Sequence, residues 1–545
     1  MKKILKNISL RIVFLALIIF SVSCNGNVGN GDTNNEKENS DGQENSIESE
    51  GEDNMEANNE LNFVLAKDIP KGEEAFFYSN PSRINGIGDP FIIRDHKTGV
   101  YTAIATSASI GFYGWDSEDL VNWGSKHWVY QRPENTWSTD SYWAPEVVFY
   151  NDAYYMFYTA RDKSGRLLIS VAKSDSAAGP YEDVSPEKPV FDFGYAIIDA
   201  SVFVDDDGRA YMYYVKDVSE NIIMNGKHVS QIYGVELSED LLSIKGEPVL
   251  LTSPDSAWEN PQESWSWNEG PIVLKHNNEY YLAYSANMFE SPAYSVGYAK
   301  SANPLGPYEK AQENPILATK QLEGISGSGH HSYFNSPDGT ELFTAYHTHT
   351  VPQKPSGNRQ LAIDRALYTE DGKFVVNGPT ESYLPAPAND KQRVLLGSEI
   401  SDIQLSEAAT ALSEASSDDA SSLELAKLFD GILSIHPDQK ANDVNIQTEA
   451  DGNIEIKITL QEEHNLAAIC LVSSSQKDNN IANISLKIND KVSNLGELEG
   501  TNPRNHTLAG KFDPITSNEI VLIIEPKDAS SPISLSEIYV SEKLN

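Results

Sequence analysis

From residue 86 onward the chain returns five times to one pattern: a short apolar run, a polar turn, then a second run with tyrosine at alternating places. The copies open at Asp89-Pro90-Phe91-Ile92-Ile93, Ala144-Pro145-Glu146-Val147-Val148, Asp199-Ala200-Ser201-Val202-Phe203, Glu269-Gly270-Pro271-Ile272-Val273 and His330-His331-Ser332-Tyr333-Phe334. Starts at 89, 144, 199, 269 and 330 are separated by 55, 55, 70 and 61 residues, room for about four short strands and their turns. β-Branched and aromatic residues dominate the runs. Third-strand candidates follow at 167–172, 231–237, 294–299 and 360–366. Four-stranded units in series, with no folded linker between copies, predict a five-bladed β-propeller around a central axis.

If the first strand of each unit is innermost, its opening residue faces one mouth of that axis. Those residues are Asp89, Ala144, Asp199, Glu269 and His330. Three carboxyls and a histidine in one pocket cost free energy through repulsion and desolvation, unless function or a cation requires them. As plain turn residues opening a strand they would carry no chemistry, but three carboxyls at one register argue against that reading. A carboxyl pair, one ionised and one held protonated, is the equipment of glycoside hydrolysis. All eight tryptophans precede residue 268; their faces suit sugar rings, although propeller cores also consume them.

Five motifs in order resemble glycoside hydrolase family 43: Gly88-Asp89-Pro90-Phe91, Trp143-Ala144-Pro145-Glu146, Ile198-Asp199-Ala200, Asn268-Glu269-Gly270-Pro271 and Gly327-Ser328-Gly329-His330. Gly179-Pro180-Tyr181 and Gly306-Pro307-Tyr308 add to the resemblance, which spans residues 76 to about 385. It implies cleavage of arabinofuranosyl or xylosyl linkages in plant polysaccharides or oligosaccharides, with inversion. Asp89 would be the general base, Glu269 the general acid, and Asp199 the carboxylate that orients the acid and raises its pKa. Trp143 and Arg359 would face the substrate, and His330 would help bind a calcium ion. For Arg359 a surface salt bridge is the alternative; His331 and His347 read as structural or rim residues. The opposing functional class is a non-catalytic cell-surface glycan-binding lipoprotein.

The ends of the chain read differently. Lys2, Lys3, Lys6 and Arg11 precede nine apolar residues, Ile12 to Phe20, the layout of a signal peptide and too short to span a bilayer. Ser21-Val22-Ser23-Cys24 resembles a bacterial lipobox, so residues 1–23 are expected to be removed and Cys24 lipidated. The expected place is the bacterial cell envelope, facing outward on a lipid anchor, or secretion. Residues 25–60 hold eleven Asp/Glu and one Lys with no aromatic residue, so 24–60 reads as a disordered acidic tether. The net charge of −39 excludes nucleic acid as a partner.

The propeller is expected over 61–385, followed by a stiff linker at Tyr383-Leu384-Pro385-Ala386-Pro387-Ala388-Asn389. Alternation in Ile454-Glu455-Ile456-Lys457-Ile458 predicts strands in a second domain at 394–545. Ala426-Lys427-Leu428-Phe429-Asp430-Gly431 resembles discoidin-like jelly rolls, often sugar-binding β-sandwiches. The domain's only aromatics are Phe429, Phe512 and Tyr539, which leaves a structural role as open as sugar binding. Cys470, in an apolar run, reads as a buried inert thiol.

Overall fold

The computed structural model describes residues 59–544, apart from short segments at 71–72, 74, 260–263, 320–323, 414–419, 436–441, 449–451, 474–478 and 499–506. The signal, Cys24 and the tether up to residue 58 lie outside the described residues.

Five antiparallel sheets follow one another. Their innermost strands are Asn85–Arg94, Ser138–Tyr150, Ile197–Val204, Asn268–His276 and Gly329–Asn335. Each touches the innermost strand of the next blade, and the fifth touches the first, so the ring closes. Second strands such as Ala210–Lys216 and Glu279–Ala286 are packed on both faces; hence their near-continuous Tyr, Met and Ala instead of apolar/polar alternation. Asn151-Asp152 and Asn277-Asn278 turn the inner strand of blades two and four into its neighbour with both residues at positive φ, the conformation of a tight hairpin that asparagine tolerates. The expected third strands appear as Leu167–Ser174, Gln231–Leu237, Ser295–Ser301 and Arg359–Tyr368.

Closure of the ring joins chain positions far apart. Phe77–Tyr78 pairs with Leu384–Pro385, and Asn85 and Ile87 pair with Gln360 and Arg359. Between these contacts Asn80 imitates a backbone unit, donating through Nδ2 to the Ile363 carbonyl at 2.7 Å and accepting the Ile363 N–H at 3.0 Å.

The C-terminal part is a β-sandwich built on two 20-residue strands, Ile454–Ser473 and Thr507–Pro526, paired along their length. An irregularity between Thr459 and His464 divides the first into halves with different neighbours. Ile456 to Leu460 pairs with Ile400–Leu405, whereas Leu466 to Ser473 pairs with Ile533–Lys543. In that second half Leu466, Ile469 and Leu471 enter the sandwich core, while Ala468, Cys470 and Val472 pack with Ile92, Tyr101 and Phe343 of the propeller. Both faces are therefore buried, which accounts for the unbroken apolar run, and the Cys470 thiol is a buried free cysteine. Arg365 adds polar specificity beside this interface, donating to Glu341 at 2.8 Å and to the Pro385 carbonyl at 2.8 Å beneath the Tyr539 ring.

Two expected boundaries change. Residues 60–65 do not belong to the propeller: Val64–Leu65 adds to the strand Thr507–Pro526, Glu60 bridges Val492, and Leu61 lies in the sandwich core. The stiff linker expected at 383–389 is packed down along its length, with Leu384, Ala386 and Ala388 buried.

Small side chains set the spacing of the two domains. Ala468→Leu is expected to overpack that contact and cost about 1–3 kcal/mol, measured as a lower denaturation midpoint; an unchanged midpoint would mean the interface yields freely.

Candidate active site

Each innermost strand carries a bulge at the same place, and the bulged residue sits at positive φ: Asp89 (52°), Ala144 (43°), Asp199 (55°), Gly270 (54°) and His330 (49°). Such backbone is costly for residues other than glycine and concentrates at functional sites. The fourth position is Gly270, not Glu269 as the sequence comparison of the copies expects. Glu269 pairs with Ser285 just as Gly88 pairs with Thr106, Trp143 with Thr159, Ile198 with Val215 and Gly329 with His347. The acidic side chain of blade four therefore leaves the strand one residue before the bulge, on the register that Trp143 occupies in blade two.

The bulge turns one N–H out of its own ladder, and the neighbouring blade receives it. Ala144 N–H donates to Thr106 Oγ1 at 2.9 Å, Asp199 N–H to Thr159 Oγ1 at 3.1 Å, and His330 N–H to Ser285 Oγ at 2.8 Å. Across the ring closure, Asp89 N–H donates to His347 Nδ1 at 3.2 Å. In blade three the receiving position is Val215, which has no acceptor. The Gly270 N–H instead donates to Asp199 Oδ2 at 3.1 Å, so the blade-three carboxylate is held by the backbone beside Glu269.

Asp89 is surrounded by donors. Arg359 donates to Oδ1 at 2.7 Å, Thr106 Oγ1 to Oδ2 at 2.6 Å, and His330 Nδ1 lies 3.3 Å from Oδ1. Gly88 makes room for the guanidinium, which would stand 2.0 Å from a Cβ there. Burial pushes the Asp89 carboxyl up, but Arg359, the two imidazoles and the Thr106 hydroxyl together hold it well below the usual range. Arg359 thus forms a buried ion pair within the site, not a surface salt bridge.

Glu269 is in the opposite environment. Burial raises its pKa, opposed by a 2.7 Å hydrogen bond from the Tyr294 hydroxyl and assisted by the Asp89 charge. Asp199 is raised too, by burial first and then by repulsion from Glu269 and Asp89, against the Gly270 amide. Glu146, behind Ala144, is a further buried carboxyl, pushed up to about 8 by desolvation. The site can therefore hold an ionised Asp89 and a protonated Glu269 together, which is the division of labour that acid–base catalysis requires.

All three predicted catalytic carboxyls, with His330 and Arg359, share this cluster. Trp143 is half-buried and packs among Tyr211, Tyr213 and Tyr284. His347 is structural, with Nδ1 accepting as above. Sequence reasoning missed Thr106, Tyr294 and Glu146 as members of the cluster. Thr106 and Glu146 sit at repeated registers of the copies, but Tyr294 carried no signal beyond one apolar run.

The calcium expectation rests on His330. Calcium takes six to eight oxygen ligands, whereas His330 offers an imidazole already set against Asp89 and beside the Arg359 cation. Among the described residues no group of three or more His, Cys, Asp or Glu could hold a metal ion. These side chains do not fit a calcium caged by protein.

A rim sheet adjoins the cluster. Ile222–Met224, Lys227–Val229 and Trp265–Ser266 form three short strands, with Ile223, His228 and Trp265 in one cross-strand row. Trp265 stacks on His228 with ring centroids 4.4 Å apart and remains 40% exposed, as Ile223 is 58% exposed. Ser230 ties this sheet to the strand that carries Glu269, donating through Oγ to the Asn268 carbonyl at 3.0 Å.

A family model described as Glycosyl hydrolases family 43 matches residues 78–374. The chain is 31% identical over 278 residues to Beta-D-galactofuranosidase xynD of Aspergillus niger, covering 48% of this chain and 73% of that protein. It is 25% identical to Arabinoxylan arabinofuranohydrolase of Paenibacillus polymyxa over 47% of this chain and 42% of that one. A solved structure titled as a thermostable family-43 glycoside hydrolase superposes with a TM-score of 0.54 at 49% identity, covering 57% of this chain and 99% of that one.

The Thr106 hydroxyl serves two blades at once. Thr106→Val should strand the buried Ala144 N–H at a cost of about 1–3 kcal/mol and let the Asp89 pKa rise, moving the acid limb of the pH–rate profile upward. Thermal melting and kcat/KM against pH check both effects.

Proposed function

The chain belongs to glycosyl hydrolases family 43, and from that membership we propose an inverting glycosidase that removes arabinofuranosyl or xylosyl units from plant polysaccharides or their oligosaccharides. The carrying observation is the opposite electrostatics of Asp89 and Glu269 within one carboxyl cluster. A water between substrate and Asp89 gives its proton to that carboxylate and attacks the anomeric carbon. Glu269 protonates the leaving oxygen as the glycosidic bond breaks. Asp199, fixed by the Gly270 amide, orients the acid from the neighbouring blade, and Arg359 keeps Asp89 ionised.

Relatives named for galactofuranoside and arabinofuranoside cleavage support a furanose ring at the cleavage point. β-D-Galactofuranose and α-L-arabinofuranose share their ring configuration, so galactofuranosides belong in the same substrate panel. The exposed Trp265 ring, backed by His228 and just before the acid's strand, supports stacking of sugars beyond the cleaved bond.

For the cell envelope, the support is the sequence of residues 1–24: we propose a lipid anchor at Cys24 with the tether holding the enzyme outside the membrane. The sandwich domain has Phe512 and Tyr539 buried and Phe429 partly buried, which supports a structural role over an aromatic sugar platform.

On nitrophenyl α-L-arabinofuranoside, β-D-xyloside and β-D-galactofuranoside, Glu269→Gln and Asp89→Asn should each lose about 10²–10⁴ in kcat with the fold intact. NMR of the first-released sugar should show the inverted anomer; the retained anomer would overturn the single-displacement mechanism. Because Glu269 must be protonated, activity is expected to persist well above the ~4.3 of an ordinary glutamate and to fall as pH rises through its elevated pKa.

A further inference from the structure

We propose that Tyr294 is a positioning residue for the acid: its hydroxyl occupies one oxygen of Glu269, so that the transferable proton resides on the other. The inference rests on the reading of Glu269 as general acid. Tyr294 Oη donates to Glu269 Oε1 at 2.7 Å. An oxygen that accepts this bond is the poorer site for the carboxyl proton, which leaves Oε2–H to face the leaving group.

Three contacts fix the phenol. Its ring is completely buried and stacks parallel on His347, with centroids 5.3 Å apart and planes 5° from parallel. It lies across Gly329, where a Cβ would stand 2.4 Å from the ring. The turn before it is closed by the Tyr294 N–H donating to the Ser291 carbonyl at 3.1 Å. Since His347 also receives the Asp89 N–H, one stacked pair sets both the acid and the base.

The proton balance is simple. Glu269 Oε2–H transfers its proton to the glycosidic oxygen, which keeps the electron pair of the broken C–O bond. The carboxylate left behind retains the Tyr294 hydrogen bond, now charge-assisted and stronger. Burial and the neighbouring carboxyls push the phenol pKa well up, so Tyr294 keeps its own proton throughout. Tyr294 and Arg359 therefore favour the ionised acid, while burial, Asp89 and Asp217 oppose it; burial lowers the pKa of His330 and His347.

The test is kcat/KM against pH for Tyr294→Phe, which keeps the stacked ring. The alkaline limb should move up by about one to two pH units, and kcat should fall more with an oligosaccharide leaving group than with dinitrophenolate, which needs no acid. Site-specific 3-fluorotyrosine at 294, a stronger donor of nearly the same shape, should move the limb down and keeps the test decisive if the phenylalanine variant does not fold. A limb that stays in place in the folded variants, or an equal loss with both leaving groups, overturns the proposal. Glu269→Gln separates the underlying reading: if that variant keeps wild-type activity on oligosaccharides, the acid assignment fails, whereas its inactivity with an unmoved limb in the Tyr294 variants rejects only the role of Tyr294.

Discussion

The hydrogen bond that leaves each bulge, from a backbone N–H in one blade to a side chain of its neighbour, on the second strand in four blades of the five, is the contact on which the site depends. A bulge by itself leaves a buried N–H without a partner, a cost of about 1–3 kcal/mol. Thr106, Thr159, Ser285 and His347 remove that cost for four blades. They also lock the bulged residues in a left-handed conformation that is uncommon for residues other than glycine. Blade geometry and the direction of the Asp89, Asp199 and His330 side chains are thus set by the same bonds.

The fifth member of the ring is where structure becomes chemistry. With Val215 in place of a hydroxyl, the Gly270 N–H falls to the Asp199 carboxylate. The Asp199 carboxyl is then fixed to the residue next to Glu269. Around it, charge is divided: the Arg359 guanidinium keeps Asp89 ionised, while burial and two like charges keep Glu269 protonated. Neither state needs a metal-ligand set among the described side chains. The cost of three carboxyls in one pocket is met by one arginine, one amide and two hydroxyls.

Much of this was legible in the chain itself. Repeat spacing and tyrosine-rich runs gave the five blades and their third strands, because a doubly packed strand leaves a strong local composition. Asp89, Asp199 and Glu269 were visible as acids at the head of apolar runs. Their registers were not: Glu269 and Asp89 look equivalent in sequence, but Gly270 can adopt positive φ and takes the bulge, shifting the glutamate by one. Tyr294 reaches the site from the turn just before the blade-four third strand, through a side-chain contact that no local pattern encodes. The same holds for residues 60–65, whose pairing with a strand more than four hundred residues away depends on how the two domains meet.

The most direct test of the ring is Val215→Thr, measured as kcat/KM against pH beside thermal melting. A threonine at 215 supplies the acceptor found in the other blades and should draw the Gly270 N–H away from Asp199. Deprived of that donor, Asp199 loses its anchor beside Glu269, so kcat/KM should fall across the profile while melting stays at or above wild type. A profile identical to wild type in a folded Val215→Thr variant would contradict the claim that the missing hydroxyl positions the catalytic carboxylates.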